Sequence, residues 1–312
     1  MTAFAFVFPG QGSQAVGMLD AWGQHPAVLA VLEEASAALG QDVGRLIHEG
    51  PKEDLALTTN TQPVMLVAGI AAYRAWLAEG GAAPAAVAGH SLGEYTALVA
   101  SGGLTLAQAV PLVRLRAAAM QEAVPVGVGA MAAILGLDAN TVREVCAKTM
   151  ARSSEIAEAV NFNDPGQTVI AGTKAGVEQA CAALKEAGAK RALNLPVSAP
   201  FHSSLMRPAA LKLQAALADL TLGTPQIPVI NNIDVLVETD AAKIKDALYR
   251  QAFGPVRWVE CVQAITARGI SHIVECGPGK VLAGMAKRID ADLQASTIFD
   301  PASLEQTRAD LA

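Results

Sequence analysis

Along this chain the apolar positions recur with two different periods, and the change of period divides it. Ala3 to Phe8 is continuously apolar over a strand's length, the pattern of a strand buried on both faces of a parallel sheet. Pro26 to Leu39 places Val28, Leu29, Val31, Leu32, Ala35 and Leu39 at helical spacing, with Glu33 and Glu34 between them. Thr58 to Pro63 is polar and turn-like, and Val64 to Glu79 then predicts a largely apolar helix. A short apolar run, Ala85 to Ala88, predicts a second strand, and Leu92 to Ala100 and Leu106 to Ala123 predict helices. Pro228 to Asn231 and Ile270 to Cys276 predict further strands of the same sheet, with a helix around Ala241 to Gln251 between them.

From Gly129 the pattern changes. Ala130 to Leu137 predicts a strand, Asp138 to Met150 a helix opened by an N-cap aspartate, and Glu158 to Phe162 and Gln167 to Gly172 two more strands. Thr173 to Ala187 is a helix ending at Gly188, and Arg191 to Pro196 a final strand. The order β-α-β-β-α-β is that of a ferredoxin-like unit. The expectation is an α/β protein with a large domain, residues 1–127 and 198–312, built on a mainly parallel sheet. A small ferredoxin-like domain, residues 128–197, is inserted into it.

Composition narrows the classes. A chain of 312 residues, 52% apolar and 17% charged, buries a sizeable core without staples. A net charge of −6 with no basic tract argues against nucleic acid as the partner. Cys146, Cys181, Cys261 and Cys276 are far apart with no Cys-x-x-Cys pair, so neither a disulfide framework nor a metal site is indicated, and a cytoplasmic location is expected. Met1 to Phe8 lacks a basic segment and runs into Pro9-Gly10, reading as a strand rather than a signal peptide. No uncharged apolar stretch approaches the roughly 18 residues of a membrane span, so no membrane association is expected.

The candidate chemistry centres on Gly89-His90-Ser91-Leu92-Gly93, between a predicted strand and a predicted helix. This is the pattern of a nucleophile elbow, in which a sharp turn presents the serine hydroxyl and the helix N-terminus offers free N–H groups to an oxyanion. A glycine-rich strand-to-helix turn with an incidental serine would have the same sequence. Gly10-x-Gly12-x-x-Ala15 formally matches a dinucleotide fingerprint, but the second strand it requires is replaced by the helical pattern of residues 26–39. That turn is better used to offer backbone N–H groups, such as that of Gln11, to a carbonyl oxygen. Gly277-Pro278-Gly279-Lys280 fails as a phosphate loop because Val281 follows the lysine and Val274 occupies the upstream glycine position.

Arg116 falls between Leu112 and Met120 on the apolar face of its helix, where a guanidinium needs a partner, either a substrate carboxylate or a structural acid. Arg114, on the wetter side, reads as a solvated charge. Of the five histidines, His25, His48 and His272 read as surface residues and His90 as turned away from Ser91. His202, in the Pro-stiffened Ser198-Ala199-Pro200-Phe201-His202-Ser203 where the chain re-enters the large domain, is the candidate base, against the alternative of a hydrogen-bonded loop histidine. Ser91 and His202 flanking the insert predict a cleft between the domains. Gln62 either faces that cleft or bonds locally.

Taken together, Phe8-Pro9-Gly10-Gln11-Gly12-Ser13-Gln14, Gly89-His90-Ser91-Leu92-Gly93-Glu94, Arg114-Leu115-Arg116, Met120-Gln121, Ala199-Pro200-Phe201-His202-Ser203 and Glu275-Cys276-Gly277-Pro278-Gly279 resemble the malonyl-CoA:acyl-carrier-protein transacylase family, over the whole chain. The resemblance implies an α/β-hydrolase-like large domain with a ferredoxin-like insert. It also implies that Ser91 takes the malonyl group as an ester, with His202 as general base and then acid, and that the Gln11 and Leu92 N–H groups form the oxyanion hole. By the same resemblance Arg116 clamps the malonyl carboxylate, Gln62 and Gln251 line the site, and a backbone carbonyl near Gln251 orients the histidine. Phe201 resembles the family pattern tied to malonyl over the bulkier methylmalonyl group, although many members carry serine there. The implied partners are malonyl-CoA and acyl carrier protein, as fatty acid biosynthesis uses them. Coenzyme A and phosphopantetheine serve only as substrate carriers, no metal or organic cofactor is needed, and a monomer is expected.

Three other readings share parts of the pattern. A serine hydrolase or thioesterase would not need Arg116. A dinucleotide-binding or carrier-docking module would leave Ser91 idle. A malonate decarboxylase component or a trans-acting polyketide acyltransferase differs only in its carrier.

Overall fold

Five consecutive buried residues, Phe4–Phe8, make the central strand β1, and their alternation sends two kinds of side chain to two faces. Phe4, Phe6 and Phe8 pack with Tyr73 and Trp76 of the helix Thr58–Ala78, several of the rings meeting edge to face at centroid distances of 5.2 to 6.0 Å. Ala5 and Val7 face the opposite side, into a second core with Trp258, Leu282 and Met285. The computed structural model describes residues 2–197 and 199–312.

Two sheets follow from nine strands among the described residues: β1, β2 (Ala86–Gly89), β3 (Gly129–Leu135), β4 (Ala157–Asp164), β5 (Gln167–Thr173), β6 (Arg191–Asn194), β7 (Val229–Ile230), β8 (His272–Cys276) and β9 (Gln294–Ile298). The first sheet has the order β7-β2-β1-β8-β9 and every pair in it is parallel. Helices cover both of its faces, as a parallel sheet requires. The second is an antiparallel sheet of order β4-β5-β3-β6. On one face of it the helices Ala139–Arg152 and Lys174–Glu186 enclose a core of Ile134, Val142, Ile170, Val177 and Leu184. Met131, Val160 and Val169 belong instead to the main core. The chain is therefore mixed α/β, with one parallel and one separate antiparallel sheet.

The free edge of β4 is tied to the segment ahead of the helix Trp258–Thr266 by an isolated bridge. The Val256 N–H donates to the Val160 carbonyl at 2.8 Å, and the Phe162 N–H donates to the Val256 carbonyl at 2.9 Å. Arg288 and Asp164 add an ion pair of 2.7 Å across the same boundary.

The polar stretch expected as a turn at residues 58–63 is instead the first part of the helix Thr58–Ala78. Thr61 Oγ1 donates to the carbonyls of Leu55 and Leu57 at 2.7 and 3.0 Å, so its hydroxyl serves the end of the preceding short helix, Lys52–Ala56, and the joint after it while the backbone is free to be helical. Pro63 lies inside that helix. His272, read as a surface residue, is 5% exposed at the start of β8, with Nε2 2.8 Å from Ser296 Oγ. The edge strand β9 supplies that serine, and its sequence, Gln-Ala-Ser-Thr-Ile, is too polar to signal a strand.

Candidate active site

Strands β1 and β2 run side by side in register from Ala5 with Ala86 to Phe8 with Gly89, so their C-terminal ends deliver two turns to one place. One is Pro9 to Ser13, carrying Gln11; the other is the elbow, carrying Ser91. The elbow is tight enough that a Cβ on Gly89 would stand 1.9 Å from the Gly93 carbonyl, and one on Gly93 would stand 2.1 Å from the Phe8 carbonyl oxygen. Only hydrogen fits at either position. Ser91 itself is held at φ 53°, a left-handed conformation that costs a non-glycine residue about 1–3 kcal/mol.

Asn232, just past β7, stabilises that backbone from the neighbouring strand. Its Oδ1 accepts from the Ser91 N–H at 2.7 Å and its Nδ2 donates to the Gly89 carbonyl at 2.8 Å. The Ser91 N–H is thereby spent. The Leu92 and Gln11 N–H groups donate to no acceptor among the described residues, and both residues line the cleft around Ser91. A helix N-terminus beside the serine adds partial positive charge.

His202, also at positive φ (65°), is 4% exposed and places Nε2 2.7 Å from Ser91 Oγ. On its other side, Nδ1 lies 2.9 Å from the Gln251 carbonyl and 3.2 Å from that of Gly254. Two carbonyls can only accept, so Nδ1 carries the proton and Nε2 presents its lone pair to the serine hydroxyl. Burial, and next the charge of Arg116, push the His202 pKa down to about 3. The imidazole is neutral at physiological pH, ready to receive a proton.

Arg116 projects from the helix Leu106–Glu122 and is 2% exposed. Its Nη1 donates to Gln62 Oε1 at 2.7 Å, and its Nη2 donates to Gln251 Oε1 at 3.1 Å and to Ser91 Oγ at 3.2 Å. The Tyr95 ring lies 5.4 Å from the guanidinium carbon. Burial lowers the Arg116 pKa and nearby Tyr95 and Glu94 raise it, but a guanidinium stays charged. Arg114, expected to be solvated, is half-buried and donates to Gln41 at 2.7 Å.

Ser91, His202, Arg116, Gln11, Leu92, Gln62 and Phe201 thus line one cleft, whose remaining wall is Met120, Met131, Leu195 and Val197 with His90 and Asn161. Gln251 stands apart from them. It is fully buried behind the cleft, and its side-chain amide donates to the Ser91 carbonyl at 2.9 Å and to Glu94 at 3.0 Å. His90 bonds Asn163 at 2.9 Å and faces the cleft without touching Ser91. Asn232, Glu94, Asn161 and Asn163 were not singled out in the sequence. The tandem asparagines after the short strand β7 were the one available signal, since polar residues at the C-terminal ends of parallel strands gather at the site.

A serine on a strained elbow, a neutral imidazole and two free N–H groups describe acyl transfer, and a family profile described as an acyl transferase domain matches residues 5–296. The chain belongs to that acyl transferase family. A malonyl CoA-acyl carrier protein transacylase of Salmonella typhimurium is 53% identical to it over 305 residues, covering 97% of this chain and 98% of the relative. The crystal structure of an acyl-carrier-protein S-malonyltransferase from Burkholderia pseudomallei superimposes with a TM-score of 0.96 at 64% identity, covering 98% and 99% of the two chains. A malonyl transacylase solved in complex with its type II PKS acyl-carrier protein matches with a TM-score of 0.96 at 49% identity, covering 99% of this chain and all of that one. The acyl transferase has no helix, among the described residues, long and apolar enough to cross a membrane.

Proposed function

We propose that this acyl transferase moves a malonyl group from coenzyme A to the phosphopantetheine thiol of an acyl carrier protein, in fatty acid biosynthesis, through a malonyl ester on Ser91. The observation that carries the reading is a buried guanidinium, hydrogen-bonded to no carboxylate among the described residues, 3.2 Å from a hydroxyl that is itself 2.7 Å from a neutral imidazole. The names of the full-length relatives agree with it.

Ser91 Oγ attacks the thioester carbonyl as His202 Nε2 takes its proton. The Gln11 and Leu92 N–H groups bear the oxyanion, and Arg116, steadied by Gln62 and Gln251, holds the free carboxylate. As the tetrahedral intermediate collapses, the C–S bond breaks and His202 returns the proton to the departing sulfur. In the second half His202 Nε2 takes the proton of the carrier's thiol as its sulfur attacks the ester carbonyl, the C–O bond to Ser91 breaks, and the proton returns to Ser91 Oγ. The apolar wall of Met120, Met131, Leu195, Val197 and Phe201 keeps the ester poorly hydrated, so a thiol outcompetes water. The reaction requires no metal or organic cofactor.

We read the two sheets as an α/β-hydrolase-like domain, residues 1–127 and 198–312, with a ferredoxin-like insert, residues 128–197; the strand order β4-β5-β3-β6 supports the latter. One chain supplies every group named, so a monomer suffices, and the expected setting is the cytoplasm. Incubation with malonyl-CoA followed by peptide mass spectrometry tests the reading. A malonyl adduct on the Ser91 peptide, absent from Ser91→Ala and discharged by pantetheinylated carrier protein, is the expected result. An adduct retained by Ser91→Ala, or discharge as fast by water as by carrier, overturns it.

A further inference from the structure

Glu94 takes no part in that chemistry, yet it is a carboxylate only 2% exposed, three residues past the nucleophile. Its Oε2 accepts from the Asn232 N–H at 2.8 Å and from the Gln251 side-chain amide at 3.0 Å. That amide also donates to the Ser91 carbonyl at 2.9 Å, so its nitrogen is committed and its Oε1 must face Arg116 Nη2, 3.1 Å away. One amide group therefore separates a buried carboxylate from a buried guanidinium. Arg116 makes its three hydrogen bonds to neutral groups, and a buried cation is costly without a nearby anion.

We infer that Glu94 is the resident counter-anion of Arg116 and a positioning residue for the substrate: when the malonyl carboxylate occupies the guanidinium, Glu94 takes up a proton, so binding and protonation are coupled. This rests on the carboxylate-clamp reading of Arg116. Two carboxylates sharing one desolvated cation cannot both keep their charge at ordinary cost. The one that can receive a proton without leaving its hydrogen bonds is Glu94, because its Oε2 still accepts from Asn232 and Gln251 when the other oxygen is protonated.

A small cavity lined by Glu94, Asn231, Glu238 and Ile244 shares no lining residue with the acyl cleft. The ionisable groups that face Glu94 are Arg116 from the helix Leu106–Glu122, Tyr95 on its own helix, Asp234 and Glu238 from the segment after β7, and Cys261 from the helix Trp258–Thr266. Burial raises Tyr95 to about 12 and lifts the Cys261 thiol far above its usual range, while the Arg250 partner lowers Asp234. Burial carries Glu94 to about 7, against the opposing pull of Gln251, Asn232 and Arg116.

The expected signature is a malonyl-CoA KM that rises as pH increases, by about fivefold between pH 7 and 8 and approaching about tenfold per unit above that, the limiting slope of one proton. The KM for acetyl-CoA, which carries the same phosphates and no carboxylate, stays level, so the ratio of the two isolates the effect. In Glu94→Gln, which keeps an acceptor oxygen and loses the charge, the ratio becomes pH-independent, and at pH 8 malonyl-CoA binds more tightly than to the wild type. Should that variant misfold, calorimetry on Ser91→Ala in two buffers of different ionisation enthalpy reads the same coupling. At pH 7.5, malonyl-CoA takes up about half a proton or more beyond acetyl-CoA. A pH-independent ratio in the wild type, or equal proton uptake for the two thioesters, overturns this inference while Ser91 still loads. Failure of malonyl to load Ser91 at any pH overturns the proposed function, and this inference with it.

Discussion

Replacing Arg116 by alanine separates a carboxylate clamp from a structural arginine. An exposed ion pair is worth about 0–1 kcal/mol, whereas truncating one partner of a buried, hydrogen-bonded charge pair costs about 2–5 kcal/mol. At 2% exposure Arg116 belongs to the second class. The substrate carboxylate must share the guanidinium with Gln62 and Gln251, whose oxygens already stand 2.7 and 3.1 Å from it, which favours the lower half of that range. A loss of about 2–3 kcal/mol, at 1.4 kcal/mol per decade, lowers the second-order rate of malonyl loading about 30- to 150-fold. Acetyl loading has no carboxylate to lose. The arginine charge also depresses the basicity of His202, so its removal leaves acetyl transfer unchanged or faster. Rapid-quench loading with the two thioesters gives both rates on one preparation, and Arg116→Lys, which keeps the charge without the planar fork, falls between. A parallel loss for malonyl and acetyl, within about threefold, refutes the clamp and leaves Arg116 as support for Ser91.

Two further outcomes follow from the geometry. His202 is depressed to about 3 by burial and by Arg116, so its proton-accepting form is lost only as pH falls toward that value; kcat/KM for acetyl loading should stay level from pH 8 to about pH 5, and a decline of a decade per unit beginning near pH 7 would contradict the assignment. Gly93→Ala drives a Cβ to 2.1 Å from the Phe8 carbonyl oxygen and should destabilise the fold by roughly 3 kcal/mol or more, read from the urea midpoint; a midpoint shift worth less than about 1 kcal/mol would mean that the elbow relaxes easily.

Much of the frame was legible because local chemistry and tertiary burial agree there. The helix Pro26–Leu39 has its expected ends, since Pro26 starts it and Gly40 ends it at φ 62°. The periodic spacing of residues 106–123 placed Arg116 on the inner face and Arg114 outside it, and burial follows that division, although Arg114 is only half-exposed and bonded to Gln41. Where local signal and tertiary demand diverge, the reading failed. Thr58 to Pro63 carries turn residues and is helical, with the Thr61 hydroxyl bonded back to the carbonyls of Leu55 and Leu57 at the joint with the helix Lys52–Ala56. His272 lies inside the strand expected at residues 270–276 and still reads as a surface residue, because the strand that covers it, β9, is too polar to announce itself.

The sequence by itself determined the parts whose cause is local: an elbow whose glycines and serine admit one kind of turn, strands and helices written in periodicity, and an arginine on an apolar stripe. Tertiary structure alone decided how those parts are held. Asn232 lies 141 residues from the serine whose N–H it binds, and Glu94 reaches Arg116 only through Gln251, 157 residues further along the chain. Hydrogen bonds of 2.7 to 3.1 Å depend on where strands and helices end in space. A sequence records which groups are available, and only the packed sheet ends bring them within that range.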